Sequence, residues 1–186
     1  VGAALAAYHI YKNGPRKPAA ALDGMQGAYL GPSFDDDDCE RRLTAAGARF
    51  IRLDDDALIA RAAEDLASEK ALGWFQGRME FGPRALGNRS IIADPRKAEM
   101  KEKLNATIKF REPFRPFAPS VTVAAAGDFF DIPDAARQHP ARFMLYVAPV
   151  LPHKRAVLPA ITHEDGSGRL QTVFADVSPA YHAMIK

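Results

Sequence analysis

Residues 73–90 read GWFQGRMEFGPRALGNRS. Four glycines, three arginines, one acid and one proline share these eighteen positions. The short apolar run GWFQG predicts a strand that delivers the chain into a turn-rich segment. SIIADP, just beyond, predicts another buried strand. Upstream, DDDALIARAAEDLASEKALG spaces its apolar residues as a helix does, with an acidic start and Gly73 past its end. Downstream, PRKAEMKEKLNATIKF predicts a helix with Pro95 near its start and Met100, Leu104 and Ile108 four residues apart.

Farther out the pattern stays mixed. DDDDCERRLTAAG predicts a helix, because carboxylates at a helix start meet unpaired amides and Gly47 supplies a stop. A calcium loop would alternate its acids around a central glycine, and this run does not. ARFIRL, RFMLYVAPVL and GRLQTVFADV predict strands, GAYLGPSF a short strand entering a turn, and SPAYHAMIK the start of a helix. FRPFAPSVTV must be extended, since Pro116 and Pro119 exclude helix. Residues 2–12 predict the last turns of an apolar helix, closed by Gly14 and Pro15 and followed by a Gly- and Pro-rich linker. Intermixed strands and helices set the class as α/β or α+β.

At 186 residues there is room for one domain with flanking pieces. A net charge of +2 excludes a general polycation. Cys39 is the sole cysteine, so no intrachain disulfide or cysteine zinc cluster exists, which suits a reducing, cytoplasmic setting. No apolar run reaches the roughly 18 residues of a membrane span, and VGAALAAYHI lacks a signal peptide's basic lead-in. The start at Val1, inside a helical pattern, predicts a fragment of a longer polypeptide. His9, His139, His153 and His182 show no ligand spacing, and no Walker loop is present.

The positive charge is local. From Gly77 to Pro116 ten basic residues face five acids, a local excess of +5, so the remainder of the chain is net acidic. Lys97, Lys101 and Lys103 interleave with Glu99 and Glu102, as on a solvated helix face. The arginines of GRMEFGPRALGNRS and KFREPFRPF instead sit on turns beside Gly, Pro and aromatics. An arginine held near apolar surface needs an anion, and five acids cannot serve them all. Glycine lets amides approach a ligand, proline fixes the turn, and guanidinium forks match phosphate oxygens. Two readings stay open on composition: a preorganised pocket for a phosphorylated anion, or a structural salt-bridge network. PAITHEDGSGRLQTV adds Arg169 and His163, with Asp165 and Gly166 closing a turn.

GWFQGRMEFGPRALGNRSIIADPR, NATIKFREPFRPFAPSV and PAITHEDGSGRLQTV closely resemble the carboxy-terminal domain of the NodU/NolO/CmcH-type O-carbamoyltransferases. The resemblance runs over residues 28–186. It implies that 1–14 is the tail of a preceding Kae1-like domain and 15–27 a linker. It also implies a YrdC/Sua5-like twisted, open sheet with flanking helices around a basic cavity. The expected activity is formation of carbamoyl adenylate from carbamoyl phosphate and ATP, with magnesium accompanying ATP. A hydroxyl acceptor, on a nodulation factor or an antibiotic, would then receive the group. The family's metal site would lie in the amino-terminal domain, with no metal ligands here. Arg78, Arg84, Arg89, Lys109, Arg111, Arg115 and Arg169 are the expected anion contacts. Of these, Arg78, Lys109, Arg111, Arg115 and Arg169 are expected to act in catalysis, with His163 as an orienting group. Glu80 and Glu112 are expected to tether arginines. The chain reads DGSGR where the family pattern is Asp-Gly-Thr-Ala-Arg, and the family continues past Lys186 into a strand that lines the same cavity.

Expected partners are the two substrates and the Kae1-like domain; a membrane is not expected, and a homodimer is left open. The alternative is an RNA-binding module using the same basic cavity. Against it, Phe110, Phe114 and Phe117 are expected to face inward rather than offer stacking platforms.

Overall fold

The computed structural model describes residues 2–17 and 23–186. The domain is α+β, with six α-helices and two small sheets among the described residues. The middle of the expected 15–27 linker, residues 18–22, lies outside the description.

Helix α1 (Gly2–Ala6) continues into a wider turn over Ala7–Tyr11, and Leu5, Tyr8, Ile10 and Tyr11 on it are exposed. Helix α2 (Asp36–Ala45) starts at Asp35, whose carboxylate accepts from the Asp38 amide at 2.7 Å. Helix α3 (Asp55–Ala67) repeats the device, with Asp54 accepting from the Ala57 amide at 2.8 Å. Each cap is worth about 1 kcal/mol, so the aspartate run is helix-start charge, as its position predicted. α3 stops before Gly73, through Glu69 in the left-handed region (φ 62°).

Strands β1 (Leu72–Phe75) and β2 (Arg89–Ile92) pair antiparallel, with Trp74 opposite Ser90, and bracket the arginine-bearing turn. Helix α4 (Ala98–Leu104) opens into a wide turn over Asn105–Lys109. The remaining elements are β3 (Ser120–Thr122), α5 (Ala126–Phe129), β4 (Tyr146–Pro149), β5 (Ser167–Val173) and α6 (Pro179–Ile185). β5 is central in its sheet, parallel to β3 and antiparallel to β4. ARFIRL is a correction: residues 48–53 form no strand, and Phe50 and Ile51 are exposed. GAYLGPSF is likewise a short 3-10 turn over Gln26–Ala28 followed by a single bridge from Ser33 to Arg78.

β5 divides two cores because its side chains alternate. Leu170 enters one core with Val121, Phe130, Val150, Leu158 and Ile161. Val173, of opposite parity, enters the other with Ala62, Trp74, Tyr181 and Met184. Arg169 and Gln171 share the Val173 face, so one face of the strand passes from apolar packing to a charged end.

Gly87 closes the turn against this second core at φ 105°, and a Cβ there would collide with the Tyr181 ring. Gly87→Ala is expected to cost about 2 kcal/mol, from backbone strain and overpacking together. A chemical denaturation curve measures it.

Candidate anion-binding site

The turn over residues 80–89 is built around a buried carboxylate. Oε1 of Glu80 accepts from the backbone amides of Leu86 at 2.6 Å, Asn88 at 2.9 Å and Arg89 at 3.3 Å. Oε2 accepts from Arg89 Nε at 2.8 Å, and the Glu80 side chain is 0% exposed. Burial pushes its carboxyl up, but the Arg89 bond and the amides outweigh this and hold it below the ordinary value. Glu80 therefore tethers an arginine, as expected, and shapes the loop besides.

That loop is pinned to β5. The Leu86 carbonyl accepts from Gln171 Nε2 at 2.8 Å and from the Tyr29 hydroxyl at 2.7 Å. Burial, against a Ser178 bond, raises Tyr29 to a pKa of about 12, so its proton stays available for this bond. Arg84, two residues before Leu86, thereby lies close enough for its charge to act on Arg169, two residues before Gln171.

Asn105 organises the second loop. It is buried, with Oδ1 accepting from Arg111 Nε at 2.6 Å and Nδ2 donating to the Arg115 carbonyl at 2.9 Å. The Arg111 guanidinium lies over the Phe117 ring at 4.6 Å. Burial lowers the Arg111 pKa, as does the Arg115 charge, with Glu112 opposing.

The three segments converge. Arg169 is held below the usual arginine range first by burial and then by the charges of Arg84 and Arg111. Among the described residues none of these three arginines has an ion-pair partner. Arg169 feels both other cations, none of the three is ion-paired among the described residues, and Glu112 acts on Arg111 only at a distance, so an anion here would relieve the charge.

The other expected contacts are placed differently. Arg89 is spent on Glu80. Arg115 reaches Glu112 at 3.6 Å with both side chains more than half exposed, a weak tie. Lys109 is exposed. Arg78 borders a different cavity of about 500 Å³, lined also by Tyr29, Asp55, Gln76, Ser178 and Ala180. His163 serves its own turn: its amide donates to the Ser167 carbonyl and its carbonyl accepts from the Gly166 amide, both at 2.9 Å. Asp165 closes that turn by accepting from the Ser167 amide at 2.9 Å. Bonding from Ser167 keeps the Asp165 carboxyl below its ordinary value, helped by the charge of His163.

The inward-facing phenylalanines need correction. Phe110 is 83% exposed and Phe114 70%, and of the three only Phe117 is partly buried, beneath Arg111. Phe110 takes a left-handed φ of 47°, which turns the backbone between the two cationic residues and swings the ring outward. Asn105 and Gln171 were not singled out by sequence reasoning. One signal was present in GRLQTV, where a carboxamide occupies a strand face otherwise bound for a core.

No group of three or more His, Cys, Asp or Glu among the described residues could hold a metal ion. Nor is any helix among them long and apolar enough to cross a membrane.

Fold and site together define an α+β domain that concentrates unpaired arginines on one strand face and two loops. Residues 63–186 match the family described as carbamoyltransferase C-terminus, and the chain belongs to that family. It is 46% identical over 168 residues to nodulation protein NolNO of Sinorhizobium fredii, covering 90% of this chain and 24% of that protein. It is 45% identical to nodulation protein NolO of Bradyrhizobium diazoefficiens, covering 99% of this chain and 33% of that one. A 3'-hydroxymethylcephem-O-carbamoyltransferase of Streptomyces clavuligerus is 39% identical over 126 residues, 68% of this chain and 23% of the enzyme. The chain thus spans a third or less of the length of these relatives.

Proposed function

We propose that this chain is the carbamoyl-activating part of an O-carbamoyltransferase, binding carbamoyl phosphate and ATP and forming carbamoyl adenylate. The observation that carries the reading is that Arg84, Arg111 and Arg169 make no ion pair among the described residues, while burial and the charges of Arg84 and Arg111 hold Arg169 below its ordinary value. Family membership supports the reaction class.

The chemistry suits such a site. Water releases phosphate from carbamoyl phosphate and leaves carbamate. A carbamate oxygen then attacks the α-phosphorus of ATP, and pyrophosphate departs. The acceptor hydroxyl attacks the carbamoyl carbon, AMP leaves, and the hydroxyl proton goes to solvent. Both phosphoryl steps redistribute negative charge over phosphate oxygens, so fixed cations and in-line positioning suffice without a protein nucleophile. Arg84, Arg111 and Arg169 supply the central charges, with Lys109 and Arg115 beside them. Arg78, across the turn, contributes from its own cavity, and magnesium arrives with ATP. In this reading the chain is a YrdC-like module acting in the cytoplasm beside a Kae1-like domain of the same polypeptide. That domain selects a nodulation oligosaccharide or an antibiotic hydroxyl.

A second reading has its own observation. Exposed Phe110 and Phe114 interleave with Lys109, Arg111 and Arg115, the pattern of a single-strand RNA platform. Calorimetry with carbamoyl phosphate, ATP and a short RNA at two salt concentrations separates the two. RNA affinity falls with a log–log slope of about −0.7 per phosphate contacted. The expected result is saturation by one carbamoyl phosphate per chain with a gentler salt dependence. Binding of RNA alone would overturn the carbamoyl reading.

A further inference from the structure

We propose that Asn105 is the positioning residue of the anion site, holding Arg111 by its inner nitrogen so that its outer fork faces the ligand. This inference rests on Arg111 belonging to that site.

Asn105 is 1% exposed, and all its side-chain bonding goes to the loop that follows it. Oδ1 takes the Arg111 Nε hydrogen at 2.6 Å, while Nδ2 donates to the carbonyls of Arg115 at 2.9 Å and Pro113 at 3.4 Å. Its own carbonyl accepts from the amides of Phe110 and, at 3.2 Å, Arg111. One residue therefore fixes both ends of the FREPFR turn, the start by its carbonyl and the end by its side chain, together with the first atom of the guanidinium.

Residue chemistry explains the choice. A guanidinium offers five N–H donors, and Nε carries only one of them. Binding it there leaves Nη1 and Nη2, the pair that matches two phosphate oxygens, without a hydrogen-bond partner among the described residues. A carboxamide accepts that bond without neutralising the charge; a carboxylate would not. The Phe117 ring beneath, at 4.6 Å, sets the plane of the fork. Arg89 makes the opposite arrangement: its Nε meets the carboxylate of Glu80, and its charge is spent on the fold. The two arginines differ in role because one is met by an amide and the other by an acid.

The test is a double-mutant cycle on this chain, read by calorimetric titration with carbamoyl phosphate and by a thermal melt of each variant. Asn105→Asp is expected to weaken binding at least about tenfold, the loss of one charge-assisted contact. Arg111→Ala is expected to weaken it by at least as much. The two losses are then expected to be less than additive in the double variant, because much of the effect of Asn105 passes through Arg111. Wild-type affinity in Asn105→Asp, or additive losses in the double variant, would overturn the inference. Wild-type affinity in Arg111→Ala would instead remove Arg111 from the site and take the proposed function's central cluster with it. Should Asn105→Asp fail to fold, Arg111→Lys decides. An ammonium that satisfies Asn105 keeps the charge but has no fork, so binding should still weaken, and wild-type affinity would refute the proposal.

Discussion

Replacing Glu80 by alanine is expected to cost this domain about 4 kcal/mol, the size of breaking a buried ion pair from one side. The substitution strands the Arg89 guanidinium and three backbone amides at once, because all four donate to the same carboxylate. Two of those amides, of Leu86 and Asn88, belong to buried residues that solvent does not reach easily. For a chain of this size the melting temperature should drop by roughly 12 °C. The loop that carries Arg84 loses its shape in the same event, so carbamoyl phosphate binding should fall with it. The pH dependence has a definite sign. The folded carboxyl lies below its ordinary value of 4.5, so its stabilisation is fully present above that pH and fades as pH falls through the folded pKa. In the alanine variant that acid-sensitive contribution disappears, and the fall in stability below about pH 4.5 flattens. A small, pH-independent loss would mean that Glu80 is a surface tether only.

How much of this was legible in the sequence depends on how local each cause is. The β1–turn–β2 unit was, since its apolar runs and glycines are contiguous, although β2 is half-buried with Ile91 exposed and not the buried strand that SIIADP suggested. So were α2 and α3, whose aspartate caps sit next to the helices they start. ARFIRL was misread because a strand needs a partner edge, and none of the described strands lies against residues 48–53. Phe110 and Phe114 were misread because proline fixes where a chain is extended, not which way its side chains point. The arginines illustrate the limit most sharply. Arg84 and Arg89 stand five positions apart on one turn, in similar company. Only the folded loop decides that Arg89 meets Glu80 at 2.8 Å while Arg84 makes no ion pair among the described residues and its charge acts on Arg169. Asn105 carries no local sign of burial, because a carboxamide is as frequent at a surface, and for Gln171 the alternation of GRLQTV was the single local sign.

Arg169→Met should separate function from stability more cleanly than any change in the two loops. The native side chain is partly desolvated and faces two like charges, with no carboxylate among the described residues to compensate. Methionine matches its reach along β5, where Leu170 and Gly168 on the opposite face already fix the strand against the Phe130 core. Removing a strained cation in favour of an apolar chain is neutral or stabilising in comparable settings, so the melting temperature should hold or rise by a few degrees. Activity should move the other way. If the triad neutralises charge at the transferring phosphorus, loss of one member costs about 10³-fold or more, the scale of an arginine acting in phosphoryl transfer. The measurement is carbamoyl phosphate-dependent ATP consumption by the full-length polypeptide carrying this substitution, beside a thermal melt. A variant that melts earlier yet turns over normally would make Arg169 a structural strut. The site would then have to be sought around Arg78 and its separate cavity. The opposite pattern, a firmer fold with no catalysis, is the signature of a residue kept for its ligand at the expense of its surroundings.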